Sequence, residues 1–161
     1  MASGDTLILW NAINGELPPS DAAAFDVRNT RVCLDFSDIT QECACFSSIM
    51  PNNYSGSGIG IYVHHASSGN SGNIGWIILF ERIGDRQQDI DVDSFGVSQA
   101  IGPVDVSSTA GELDIVYTDF PNSGIDGIVA GEFFRMQIKR DVAADTCAAD
   151  AELYAIELRE L

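Results

Sequence analysis

Phe133-Phe134-Arg135-Met136-Gln137-Ile138-Lys139-Arg140 alternates apolar and polar side chains along its length. A period of two belongs to an extended strand with one face buried, so Phe134, Met136 and Ile138 point inward while Arg135, Gln137 and Lys139 face water. The scheme returns near the end of the chain, where Tyr154, Ile156 and Leu158 stand against Glu157 and Arg159. Upstream, Trp76-Ile77-Ile78-Leu79-Phe80 is apolar on both faces, which suits a central strand covered on both sides or a strand at a subunit contact.

From Ala24 onward, short runs of this kind are separated by clusters of Gly, Asn, Asp and Ser. Strands are expected over 25–28, 31–36, 42–50, 59–66, 74–83, 97–106, 113–120, 133–140 and 151–158, with a short helical turn near 124–130. Such a count predicts two packed sheets and an all-β fold. At 161 residues, with a hydrophobic fraction of 45%, the chain holds one domain that can bury a core without disulfides. Polar tips such as Ser67-Ser68-Gly69-Asn70-Ser71-Gly72-Asn73 read as loops between strands.

Eight Lys and Arg against 24 Asp and Glu give a formal charge of −16, which repels phosphate backbones and anionic head groups. Direct contact with nucleic acid or membrane is therefore disfavoured. Met1-Ala2-Ser3-Gly4-Asp5 lacks the basic and apolar regions of a secretory leader, so synthesis as a soluble cytosolic chain is expected. In that compartment Cys33, Cys43, Cys45 and Cys147 read as buried free thiols.

The residues that carry enzyme chemistry elsewhere are sparsely placed. His64 and His65 are adjacent on a strand and point to opposite faces, so they cannot share one ion. No Gly-x-Ser-x-Gly elbow and no phosphate-binding glycine loop is present; Gly56, Gly58 and Gly60 fall between strands. No spacing singles out an acid and base pair among the carboxylates. Asp89, Asp91 and Asp93 alternate and form the sharpest cation candidate, but Ser94 and Ala100 occupy the sixth and twelfth positions, where a helix-loop-helix calcium site needs Gly and Glu. Cys43-x-Cys45 is too tight for the usual zinc spacing.

The N-terminal segment is more informative. Leu7, Ile8, Leu9 and Trp10, followed by Leu17-Pro18-Pro19, predict an extended arm over residues 1–20 ahead of a sandwich over 21–161. In that reading these seven residues contact a partner, with Trp10 as the leading anchor. The alternative makes residues 6–10 the first strand of the sandwich itself.

Several segments carry a resemblance: Met-Ala-Ser-Gly-Asp-Thr-Leu at the start, Leu34-Asp35-Phe36, Met50-Pro51-Asn52-Asn53-Tyr54, Tyr62-Val63-His64, Phe80-Glu81-Arg82-Ile83-Gly84-Asp85, Gly131-Glu132-Phe133-Phe134-Arg135 and Asp150-Ala151-Glu152-Leu153. The chain resembles the capsid decoration or cement proteins of tailed phages, small virion proteins of jelly-roll type. The resemblance implies a single jelly-roll-like β-sandwich, no enzymatic activity and no cofactor. It implies placement on the outer surface of a phage head, with the major capsid protein and further copies of the chain, as a trimer, for partners. The competing expectation is a carbohydrate- or receptor-binding β-sandwich module of a phage tail or fibre, using Tyr54 and a cation near Asp89 to Asp93.

Overall fold

The computed structural model describes residues 4–161. Ten strands run in order: β1 (Thr6–Asn11), β2 (Ala24–Arg28), β3 (Arg31–Phe36), β4 (Cys43–Ile49), β5 (Gly58–Ser67), β6 (Asn73–Ile83), β7 (Gln99–Asp105), β8 (Asp114–Pro121), β9 (Phe133–Arg140) and β10 (Ala151–Glu160). One sheet has the order β2-β3-β10-β5-β8 with β1 also on β10, the other β4-β9-β6-β7, and every named pairing is antiparallel. Counting β3 to β10 as one to eight, the sheets read 1-8-3-6 and 2-7-4-5, the winding of a jelly roll with β1 and β2 added. The all-β sandwich expected from alternation is the fold observed.

The core confirms the period where the strands are regular. Phe134, Met136 and Ile138 are fully buried, and Trp76, Ile78 and Phe80 of β6, which lies between β9 and β7, stand beside them on the same inner face. Ile77 and Leu79 point to the outer face of that sheet and are half-buried. The alternation over β10 fails at one point: Tyr154 and Ala155 together oppose His64, a bulge that turns Tyr154 outward and gives its expected core place to Leu153. At the end of the sandwich Arg140 is buried, donating to Asp145 Oδ2 at 2.6 Å and to the carbonyls of Phe36, Cys147 and Ala149. Those acceptors are what make a buried guanidinium tolerable.

The free arm expected over residues 1–20 is corrected, and the alternative stands. Residues 6–11 are β1, paired with β10 from Thr6 opposite Arg159 to Asn11 opposite Ala155. Ile8 and Trp10 enter the core, the Trp10 ring lying 5.6 Å from Phe46 and 6.0 Å from Phe134. The ladder satisfies the backbone and those rings need a cover, so leaving the body would strand both. Both ends of the described chain meet here: Gly4 N–H donates to Glu160 O at 2.7 Å and Glu160 N–H to Asp5 O at 2.9 Å. The expected arm residues 1–3 lie outside the described residues.

The linker between β1 and β2 runs along the open edge of β4. Glu16 and Cys45 exchange N–H···O bonds of 2.7 and 2.9 Å, Cys43 N–H donates to Asp21 O, and Ala23 N–H donates to Cys43 O. An edge that would otherwise offer a ladder to another chain is thereby occupied. Between these contacts Leu17, Pro18 and Pro19 bow outward.

Candidate functional site

The outer face of the sheet β4-β9-β6-β7 is walled on two sides. One wall is the bowed linker; the other is the segment of residues 84–98 between β6 and β7, which folds back over the sheet with Gly96 N–H donating to Phe80 O. Between them two adjoining depressions of about 220 and 250 Å³ share Glu16 and Arg135. Phe133, Ile83 and Ile90 line the first; Pro18, Pro19, Phe95 and Gln137 line the second.

Arg135 stands at the junction and is held from three directions. Its Nε donates to Glu81 Oε2 and its Nη2 to Asp93 Oδ1, both at 2.7 Å, while Phe95 presents its ring 5.0 Å below the guanidinium carbon. Glu81 lies directly opposite Arg135 on β6, is 1% exposed, and also accepts the Ser94 N–H at 2.7 Å. That bond and the Arg135–Asp93 pair fasten the 84–98 segment to the sheet. Glu16 accepts from Ser47 Oγ at 2.9 Å, and among the described residues the Gln137 amide reaches only Cys45 Sγ, at 3.8 Å. Burial raises the Cys43 and Cys45 thiols above their ordinary range, so both remain protonated.

The other outer face is different in kind. Tyr62 and Tyr117 stack at 5.0 Å with an interplanar angle of 10°, and Arg159 covers the second face of Tyr62 at 4.0 Å. Tyr62 thus has neither face free for a ligand.

The residues singled out in the sequence are scattered by the fold. Leu17, Pro18 and Pro19 are at the groove wall; Ile8 and Trp10 are core, Leu7 packs against it, and Leu9 is exposed on the opposite sheet. Tyr54 is buried, its hydroxyl donating to Asn122 Oδ1 at 3.0 Å, so it offers no loop-tip ring. Asp89 Oδ1 accepts the Asp91 N–H and Asp93 pairs with Arg135; no three His, Cys, Asp or Glu gather to hold a metal among the described residues. Sequence reading assigned Arg135 and Gln137 to water and missed Glu81, Phe95 and Phe133 as a group. The one available signal was Glu81 at an outward position of a strongly apolar strand.

No family model and no curated protein sequence matches the chain. Among solved structures it is similar to a carbohydrate-binding module, CBM36, in complex with calcium and xylotriose: TM-score 0.55, 15% identity, 94% of this chain and 99% of the other covered. A cycloisomaltooligosaccharide glucanotransferase of Paenibacillus sp., complexed with cycloisomaltoheptaose, matches at TM-score 0.50 and 11% identity, covering 96% of this chain but 18% of that one. The CBM22-1 xylan-binding domain from Paenibacillus barcinonensis aligns at TM-score 0.48 and 12% identity over 100% and 99%. At 15% identity the likeness to the CBM36 structure bears on the β-sandwich fold alone.

Proposed function

We propose that the chain is a carbohydrate-binding module that takes a neutral oligosaccharide along the groove on the β4-β9-β6-β7 sheet. The observation that carries this reading is the make-up of the groove: apolar rings at both ends and polar groups between them. Sugar rings present C–H faces that pack on aromatic and proline rings, which Phe133, Phe95, Pro18 and Pro19 supply. Their hydroxyls need fixed donors and acceptors, which Glu16, Gln137 and Arg135 supply. The clamp on Arg135 sets its remaining N–H groups before a ligand arrives, which lowers the ordering cost of binding. The sandwich shared with the CBM36 structure lends this reading a scaffold of the right kind.

Binding is favoured over catalysis because the carboxylates at the groove are engaged: Glu81 by Arg135 and Ser94, Asp93 by Arg135, Glu16 by Ser47. The head-binding reading gave the contact with the major capsid protein to an N-terminal arm, and Ile8 and Trp10 of that arm are buried in the body.

Calorimetric titration with xylo-oligosaccharides and isomalto-oligosaccharides tests the proposal. At least one series should bind, and Phe133→Ala and Gln137→Ala should each weaken it about 10-fold with the circular dichroism spectrum unchanged. Absence of binding to either series, or affinity indifferent to both substitutions, would overturn it.

A further inference from the structure

On the opposite sheet a larger depression, of about 410 Å³, opens beside the β2–β3 hairpin, lined by Arg28, Asn29, Arg31, Gly111, Leu113 and Tyr154. Its chemistry is unlike that of the groove. Asn29 and Thr30 adopt left-handed backbone, φ 47° and 66°, in a two-residue turn that sets Arg28 directly opposite Arg31. Side chains paired in this way leave the same face with Cβ atoms about 5 Å apart, and two like charges there repel.

Only one of the two is neutralised. Arg28 Nη1 donates to both oxygens of Glu152, at 2.8 and 2.9 Å, and Glu152 also accepts the Tyr154 hydroxyl at 3.1 Å. Among the described residues Arg28 Nε and Nη2 have no acceptor, and Arg31 has no carboxylate, its single hydrogen bond being a 3.5 Å contact from Nη1 to Asn29 O. Gly111, at φ 85°, brings bare backbone against the Arg28 guanidinium: a Cβ there would lie 2.6 Å from Nη2. The pocket thus holds an uncompensated cation and unfilled donors in a chain of charge −16.

A guanidinium presents a planar fork that fits the two oxygens of a carboxylate. Beside it, exposed Leu113 and the half-buried Tyr154 ring form an apolar flank of the same depression. We infer that this pocket is a second binding site, for the carboxylate of an acidic sugar: Arg31 takes the carboxylate, and Leu113 with Tyr154 takes the ring. The sugar part rests on the glycan-binding reading above; the carboxylate part rests on the paired arginines alone.

The experiment follows backbone amide NMR signals while oligogalacturonate, neutral galactose or a glutamate-rich peptide is added. Oligogalacturonate should shift Gly111, Leu113 and the hairpin, galactose should not, and the peptide should bind more weakly. Arg31→Gln, at an exposed side chain with no ion pair, should weaken the uronate about 10-fold. Phe133→Ala and Gln137→Ala, which test the groove, should leave it unchanged, so the two sites succeed or fail separately. The proposal is overturned if Arg31→Gln retains full affinity, if galactose or the peptide binds as well as the uronate, or if the shifts map to the groove.

Discussion

His65 and Asp35 are side chains whose burial moves a proton equilibrium into an accessible range, and they act in opposite directions. Burial, then the positive charges of Arg140 and His64, hold His65 down at about 4, against 6.5 ordinarily. Its Nδ1 also accepts the Trp76 indole N–H at 2.7 Å, a bond that protonation would remove. Because the unfolded chain takes up this proton first, His65 contributes full stability above pH 6.5 and loses it as pH falls to about 4, a change on the order of 3 kcal/mol. Asp35 is raised to about 6 from 3.8, by burial first, with the Cys33 thiol partly offsetting it and Asp26, Glu152 and Asp150 adding to it. Its folded pKa lies above its unfolded one, so its penalty is full above pH 6, disappears below 3.8, and masks much of the His65 loss on acidification. Asp35→Asn is therefore expected to be more stable than the parent at pH 7 and to fall more steeply toward pH 4. Urea unfolding at pH 7, 5 and 4 checks this; parallel pH profiles for the two proteins would contradict it.

Among the elements, the strip of residues 16–23 carries the most weight for its size, because it both closes the edge of β4 and forms a wall of the groove. Glu16→Pro removes the N–H that Cys45 O accepts and leaves that carbonyl without its partner. Loss of about 1.4 kcal/mol from the local opening energy corresponds to opening about 10 times more often. Thiol labelling reads this directly: Cys43 and Cys45 should label about 10-fold faster in Glu16→Pro, while Cys33 and Cys147, buried elsewhere, keep the parent rate. Equal acceleration of all four would mean global rather than local opening. Regular strands such as β9 were legible from alternation alone, since each residue's face follows from its neighbour's. The bulge at Tyr154 and the fate of Leu7 to Trp10 were not, because both depend on which strand lies alongside. An apolar run followed by Pro-Pro reads equally as an arm or as a strand until β10 is known to accept it.

At the scale of the molecule, the groove was illegible for the same reason in stronger form. Glu16, Ser47, Glu81, Asp93 and Arg135 come from five strands or loops, and only the jelly-roll winding makes them neighbours. What the sequence carried plainly was charge. Arg28, Arg82, Arg135, Arg140 and Arg159 are engaged in ion pairs, leaving most of the 24 acidic residues to repel one another across the surface. Stability should therefore rise when NaCl is increased from about 10 to about 150 mM, which shortens the screening length from roughly 30 to 8 Å. A urea midpoint indifferent to salt over that range would show that the surplus charge is spaced too widely to matter. The hydrogen bonds joining Gly4 and Asp5 to Glu160 have a practical corollary. A body whose two ends emerge side by side can be spliced into a surface turn of a host protein as one guest. It can equally be closed head to tail and reopened at the Ser68–Gly72 tip, with every strand keeping its neighbours.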